Sequence, residues 1–241
     1  MNTFINIDEK ARILIVSPHP DDETIGCGGI LAKYGSQCDV VVLTDGRLGM
    51  STEKKQSEEE LAEIRKREFE SAMQFFCVNK FQNLGIPDSQ LKKYAGKVRD
   101  IDLRNYDYVF IPNRNERHPD HASAYKIIKN NHRKQKSKAD LIEYEVWSPL
   151  IAPNCFLDIS DVMEAKIRGL EFYESQIELI DYRKSARGLN SYRGAPHHLE
   201  YCEAFHSREA EKSLLKERIA GVLPGGVVKL AQRVLVFLRH R

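Results

Sequence analysis

Two short clusters of histidine and aspartate carry the residue types that bind metal ions and transfer protons. The first is His19–Glu23, with the sequence His-Pro-Asp-Asp-Glu. Neighbouring residues in a turn point their side chains in different directions, so one of Asp21 and Asp22 would ligate a metal beside His19 while the other faces the reacting water. The segment also fits a proline turn whose carboxylates stabilise the start of a helix. The motif alone leaves both interpretations open.

The second cluster is His118–His121, with the sequence His-Pro-Asp-His. Proline is favoured in the first turn of a helix, so His118 begins this helix and His121 lies one turn later on the same face. Two solvated histidines at a helix start are the alternative. Together His19, Asp22 and His121 would supply two imidazoles and one carboxylate and leave a fourth position open for water, which is the ligand pattern of catalytic zinc.

Apolar runs without alternation precede both clusters and predict strands that are buried on both faces of a parallel sheet. Four runs predict strands: Arg12–Ser17, Asp39–Thr44, Asp107–Pro112 and Ile142–Trp147. Apolar residues at helical spacing predict three helices: Ser57–Phe76, Pro119–His132 and Ser160–Ser175. A further helix is expected after Asp22. This alternation predicts a Rossmann-like, doubly wound α/β fold with a mostly parallel sheet, helices on both faces, and functional side chains at the carboxyl ends of the strands.

Length and composition narrow the class of protein. The 241 residues, with 41% hydrophobic and 30% charged, fit one large domain, and a formal net charge of +2 is too small to indicate nucleic-acid binding. The five cysteines form no CxxC pair, which indicates reduced thiols. The N-terminal residues show no basic cluster with an apolar run long enough for a secretory signal. We therefore expect a cytoplasmic protein.

The chain also resembles a known family, the PIG-L/LmbE family of zinc-dependent de-N-acetylases, which includes N-acetylglucosaminyl deacetylases. The hallmarks are a His-Pro-Asp-Asp-Glu turn after the first strand and a His-x-Asp-His segment after a later one. Further blocks that resemble the family follow in the same order: Leu43–Gly46, Arg65–Glu68, Leu84–Asp88, Tyr144–Trp147, Asp158–Ser160, Lys166, Ser175–Gln176 and Glu203–Phe205. The resemblance extends from about Arg12 to Phe205.

The resemblance implies a role for each member of the two clusters. His19, Asp22 and His121 are expected to be zinc ligands. Asp21 is expected to be the general base, and His118 is expected to stabilise the tetrahedral intermediate and to protonate the leaving amine. These roles fit the chemistry, because an amide is a poor electrophile and zinc both polarises a carbonyl and lowers the pKa of its bound water to ~7. Iron or cobalt would bind the same ligands.

Three other residues have two interpretations each. Arg65 matches the family arginine that binds substrate in the pocket, whereas its spacing alone also fits a partner for Glu68 on a solvated helix face. Asp120 would cap its helix or orient His118, and we favour the cap. Trp147 is expected to pack at a strand end rather than to serve as a platform for a sugar.

The end of the chain lies outside the resemblance. We expect a deacetylase domain at residues 1–215 and a basic amphipathic tail at residues 216–241. Charges and a Pro-Gly-Gly segment interrupt this tail, so it cannot span a bilayer, which needs ~20 apolar residues. The tail would lie peripherally on the inner face of the cytoplasmic membrane, or it would pack on the domain or on a second copy in a homo-oligomer. We favour packing.

The sequence therefore predicts a metal-dependent hydrolase that removes the acetyl group from an N-acetylated amino sugar of the N-acetylglucosamine type, free or linked to a lipid or glycan. An amidase for a bulkier sugar-amide conjugate is the alternative within the same chemistry. The alternative from another class is a nucleotide- or sugar-binding module without catalysis, suggested by Gly26–Gly29. A GxGxxG motif is absent, however, and the preceding carboxylates would repel a pyrophosphate.

Overall fold

The computed structural model describes residues 3–49 and 56–212, in which eight strands form one sheet. The strands are β1 (Thr3–Phe4), β2 (Ile13–Ser17), β3 (Cys38–Thr44), β4 (Lys80–Ile86), β5 (Tyr108–Pro112), β6 (Asp140–Tyr144), β7 (Cys155–Asp158) and β8 (Cys202–Ser207). Their order is β1-β7-β8-β6-β5-β2-β3-β4. All neighbours pair in parallel except β8, which is antiparallel to both β6 and β7. The prediction of a mostly parallel sheet is confirmed.

Helices cover both faces of this sheet. They are α1 (Asp22–Tyr34), α2 (Glu58–Phe75), α3 (Ala95–Arg99), α4 (Pro119–Gln135), α5 (Met163–Glu171), α6 (Glu174–Ile177) and α7 (Tyr182–Gly194), with short 3-10 helices at Gly35–Gln37 and Ala195–His197. Alternate residues of β2 enter different cores. Ile13 and Ile15 pack with side chains of α1, α2 and α5, whereas Leu14 and Val16 pack with side chains of α3 and α4. The doubly wound architecture is confirmed.

The predicted elements differ from the structure mainly at their ends. The fourth predicted strand, Ile142–Trp147, is β6 and already ends at Tyr144. The helix predicted at Ser160–Ser175 begins at Met163 and is divided between α5 and α6. Among the helices of the described residues, none is long and apolar enough to cross a bilayer. The predicted tail at residues 216–241, with its boundary at 215, lies outside the described residues.

Glycines allow α1 to lie very close to its neighbours. A Cβ atom on Gly26 would be 2.3 Å from the Tyr144 ring, and one on Gly28 would be 2.6 Å from the Lys166 side chain. The Gly26–Gly29 segment is therefore explained by close packing, and a phosphate-binding role has no support from its surroundings. The packing fixes the position of the N-terminus of α1, where the first His/Asp cluster lies.

Candidate active site

The turn between β2 and α1 directs Asp21 and Asp22 to different sides. Asp21 has φ 125°, a conformation that is rare and strained for a residue other than glycine. The buried Glu23 carboxylate stabilises this turn by accepting hydrogen bonds from the Asp21 backbone N–H (3.2 Å) and from the Ser17 hydroxyl (3.1 Å). The Tyr173 hydroxyl also donates to Glu23. Glu23 belongs to the His-Pro-Asp-Asp-Glu motif but was not among the predicted site residues.

Three potential metal-ligating atoms meet where β2 and β5 lie side by side. His19 Nδ1 is 3.1 Å from Asp22 Oδ2 and 3.2 Å from His121 Nε2, and the last two atoms are 3.0 Å apart. Tetrahedral zinc with bonds of 2.0–2.1 Å places its ligand atoms ~3.3 Å apart. Burial alone would raise the pKa of Asp22, but His121 and His19 more than offset this, and the pKa lies well below its usual value. The triangle could therefore hold a divalent metal ion.

The opposite nitrogen of each histidine faces a carboxylate. His19 Nε2 lies 3.2 Å from Asp88 Oδ1 and 3.5 Å from Asp120 Oδ2. His121 Nδ1 and Glu116 Oε2 are buried, lack hydrogen-bond partners, and face each other at 3.7 Å. Metal-binding histidines commonly direct their second N–H at such a carboxylate, which leaves the first nitrogen as a lone pair. With this arrangement two imidazole lone pairs and the Asp22 carboxylate converge, as metal coordination requires. The residues fit a metal.

Two other sets of donors also lie close together: His19, His118 and His121, and His19, Asp88 and Asp120. In the second set the Asp88 and Asp120 carboxylates lie near His19 Nε2, whereas the triangle contains the other ring nitrogen, Nδ1. Asp120 also accepts hydrogen bonds from the backbone N–H groups of Ser89 (2.7 Å) and Leu91 (3.3 Å). These contacts suit groups that orient His19 better than groups that bind the metal directly.

Asp120 is not the cap that we expected. The N-cap of α4 is His118, whose Nδ1 accepts a hydrogen bond from the Asp120 backbone N–H at 3.3 Å. Burial lowers the pKa of the half-buried His118, and the neighbouring charges of His19 and His121 lower it further. The His118 ring packs edge-on against His19, with 4.7 Å between the ring centroids.

Arg65 is buried against the first aspartate of the turn, Asp21. It is 3% exposed and donates to Asp21 Oδ2 (2.9 Å), to the Pro20 carbonyl (2.6 Å) and to the Gly46 carbonyl (2.9 Å). The alternative of a solvated partner for Glu68 is therefore wrong. Burial raises the pKa of Asp21 well above its usual value, against the opposing charge of Arg65. The predicted contact of Arg65 with substrate stays a prediction.

Most of these side chains border a cleft of about 220 Å³, although His121, Glu116 and Asp120 are not part of its wall. Its walls are formed by His19, Asp21, Asp22, Leu48, Gly49, Arg65, Asp88, His118, Trp147, Gln176, Leu179, Ile180 and Tyr182. Trp147 is 48% exposed and contacts the Tyr182 ring at the rim, three residues beyond the end of β6. The expectation that it packs at a strand end is therefore wrong.

Sequence reasoning missed the roles of Asp88 and Glu116. Asp88 closes the Leu84–Asp88 block and follows β4, so its place at a strand end is a signal that was available once β4 was recognised. Glu116 lies in the loop before α4, where its Oε1 accepts hydrogen bonds from the backbone N–H groups of Trp147 (3.1 Å) and Ser148 (3.0 Å). No sequence pattern indicates those contacts.

Comparison with known proteins defines the class to which this fold and cleft belong, the N-deacetylases, which hydrolyse an amide. Diacetylchitobiose deacetylase of Thermococcus kodakarensis is 34% identical over 192 residues, covering 70% of this chain and 71% of the relative. The probable N-acetyl-alpha-D-glucosaminyl L-malate deacetylase 2 of Bacillus subtilis is 26% identical over 188 residues, covering 70% and 85%. The structure of N,N'-diacetylchitobiose deacetylase from Pyrococcus horikoshii superposes with a TM-score of 0.71 and 26% identity, covering 83% and 84%.

The family model described as GlcNAc-PI de-N-acetylase, PIG-L, matches residues 14–131. Together with the Thermococcus relative, this match shows that the chain belongs to the PIG-L family. Both His/Asp clusters fall inside the matched range. The protein is a deacetylase of the family's amide-hydrolysing type, and enzymes of this family depend on a metal.

Proposed function

We propose that the protein is a zinc-dependent deacetylase in which His19, Asp22 and His121 hold the metal. The observation that carries this proposal is the triangle of Nδ1, Oδ2 and Nε2 atoms 3.0–3.2 Å apart. Two imidazoles and a carboxylate are typical zinc donors, and three protein ligands leave a position for water. When bound, the metal supplies a Lewis acid that acidifies water and polarises the acetyl carbonyl.

Asp21 is the general base in this proposal. Its carboxylate lines the same cleft as the triangle but points toward Arg65 rather than toward the ligand atoms. Burial raises the pKa of this carboxyl group, which makes it a better proton acceptor than an exposed aspartate. The positive charge of Arg65 opposes this rise, and its hydrogen bond to Oδ2 fixes the orientation of the carboxylate.

His118 is the general acid in this proposal and lines the same cleft as Asp21. Its Nδ1 accepts the Asp120 backbone N–H, so Nε2 is the nitrogen that remains for the substrate. Protonation of the ring would displace this N–H contact at Nδ1, and the lowered pKa makes the resulting imidazolium a stronger acid toward the leaving amine. In the same form it stabilises negative charge on the oxygen of the tetrahedral intermediate.

The substrate in this proposal is an N-acetylated amino sugar of the N-acetylglucosamine type. The description of the matched family and the name of the Bacillus relative both refer to this sugar. The cleft of about 220 Å³ is smaller than the roughly 300 Å³ at which pockets for drug-sized molecules begin. The cleft therefore suits one sugar ring better than the bulkier sugar-amide conjugate of the alternative amidase hypothesis. The expected cytoplasmic location stays a prediction.

Acetate release from a panel of N-acetylated sugars tests this proposal. The panel contains free N-acetylglucosamine, its glycosides and a bulkier N-acyl analogue, each assayed as purified, after chelation, and after addition of zinc. We expect acetate from the N-acetyl sugars, no release of the free amine from the N-acyl analogue, loss of activity with the chelator, and recovery with zinc. Turnover that survives complete removal of the metal would contradict the proposal.

A further inference from the structure

A second cavity adjoins the catalytic cleft. Its volume is about 210 Å³, and it is lined by Ile25, Val146, Trp147, Tyr182 and Ser185. Trp147 and Tyr182 also line the catalytic cleft, so the two spaces share a wall. The shared rings meet edge to face, with 5.6 Å between their centroids. A molecule seated in the cleft therefore has the second cavity as its immediate neighbour.

The shared wall is formed by two aromatic side chains. Trp147 is the only tryptophan of the chain and is 48% exposed, whereas Tyr182 is 7% exposed. Glu116 accepts the Trp147 backbone N–H, and Glu116 also faces His121. The Trp147 backbone is thus held next to a residue that faces the candidate metal site, and its ring packs against Tyr182. A large aromatic surface that is exposed, held in place and adjacent to a reactive cleft is typical of a binding platform.

The chemistry of the second cavity selects an uncharged occupant. Of the described residues that line it, none carries a formal charge, and the polar groups are the hydroxyls of Tyr182 and Ser185. A carboxylate or phosphate placed there would lose water without gaining a cationic partner, which is costly. A ring with an apolar face would stack on Trp147, and its polar edge would reach the two hydroxyls.

We propose that the second cavity binds the aglycone of the substrate, and that this aglycone is an uncharged ring linked to the reacting amino sugar and stacked on Trp147. This inference rests on the proposed function, because it places the N-acetyl group in the catalytic cleft. An aryl group and a second pyranose present the same chemistry to the cavity.

A variant that fills the cavity tests the inference. Ser185 is an exposed residue on α7 that lines the cavity but not the catalytic cleft, so Ser185→Phe occupies the space without touching the proposed catalytic groups. Lys184→Phe is the matched control, because Lys184 is the exposed neighbour on the same helix and does not line the cavity. Acetate release is measured with free N-acetylglucosamine, its phenyl glycosides, diacetylchitobiose and a malate glycoside.

We expect Ser185→Phe to raise KM for the phenyl glycoside or for the disaccharide roughly tenfold, which corresponds to about 1.4 kcal/mol of lost binding. KM for the free sugar should not change, and Lys184→Phe should match the wild type with every substrate. The arm that loses affinity identifies the aglycone as an aryl group or as a sugar. Intrinsic fluorescence of Trp147 gives a second readout, since it should respond to the glycoside in the wild type and not in Ser185→Phe.

Other outcomes overturn the inference in distinguishable ways. If the free sugar is hydrolysed and every glycoside has the same KM in the wild type and in Ser185→Phe, the aglycone site is wrong and the proposed function stands. A preference for the malate glycoside would also overturn it. If no substrate, including the free sugar, releases acetate, the proposed function fails and the aglycone site fails with it.

Discussion

Replacing Asp21 by asparagine separates the proposed base from the proposed metal ligands. Asparagine has nearly the same shape as aspartate and is among the residues that tolerate positive φ, which matters because Asp21 has φ 125°. The Asp21 carboxylate contacts Arg65 at 2.9 Å and lies outside the triangle formed by His19, Asp22 and His121. The variant should therefore fold and bind metal but lack the proton acceptor.

Asp21→Asn should change both the turnover and the free energy of unfolding. Loss of a general base lowers turnover ~10²–10⁴-fold. The side chains of Asp21 and Arg65 are only 6% and 4% exposed, so solvent screens their interaction little. The amide oxygen of asparagine still accepts from the Arg65 guanidinium, so an ion pair becomes a hydrogen bond between a charged donor and a neutral acceptor. We expect the free energy of unfolding to fall by about 1–2 kcal/mol.

Single-turnover acetate release, elemental analysis and urea unfolding measure these effects on one preparation. The expected result is a normal metal content, a small loss of stability and a large loss of rate. An Asp21→Asn variant with near-normal turnover would refute the assignment of the base. A variant that loses its metal in parallel with its rate would show that Asp21 acts through the metal site.

Three more substitutions test ion pairs at the site and elsewhere in the fold. Arg65→Met should lower kcat rather than raise KM, because Arg65 contacts Asp21 in the structure. Steady-state kinetics measure both constants. A rise in KM with unchanged kcat would instead support direct binding of the substrate by Arg65. Lys166→Met should cost about 3–5 kcal/mol in urea unfolding, since Lys166 and Glu203 form a buried ion pair at 2.7 Å and the carboxylate would remain buried. Lys33→Met removes a more exposed ion pair and should cost less than about 1 kcal/mol, and equal losses for the two lysines would contradict the argument.

The convergence of the two clusters was predictable from the strands that precede them. The apolar runs that became β2 and β5 are buried on both faces, which gives them a strong sequence signal. These strands pair in parallel, so their carboxyl ends bring His19 and His121 together although the residues are far apart in the chain. That the side chains of Asp21 and Asp22 point to different sides was also predictable, because the two residues are neighbours in a turn.

The missed elements have weak sequence signals for physical reasons. β4 is an edge strand in which most side chains are at least partly exposed, so it lacks a continuous apolar run. The buried face of α7 consists of Tyr182, Ala186, Asn190 and Gly194, which includes few apolar side chains. β8 reverses the direction of the sheet, and no local pattern specifies that choice.

The contacts of the supporting carboxylates depend on tertiary structure. Asp88 reaches His19 only because β4 lies beyond β3 at the edge of the sheet, and Glu116 reaches His121 through the loop before α4. Trp147 was interpreted as a packing residue because β6 was expected to extend to it. The strand ends at Tyr144, so Trp147 lies in the following loop, where its indole lines the cleft.

The metal content of alanine variants tests the central claim most directly. His19→Ala, Asp22→Ala and His121→Ala each remove one atom of the triangle, whereas His118→Ala removes a histidine of the same cleft that is not a proposed ligand. Elemental analysis should find one zinc per chain in the wild type and in His118→Ala, and a loss of zinc in the other three. Stoichiometric zinc in all three triangle variants, or its loss from His118→Ala alone, would contradict the assignment of the metal site.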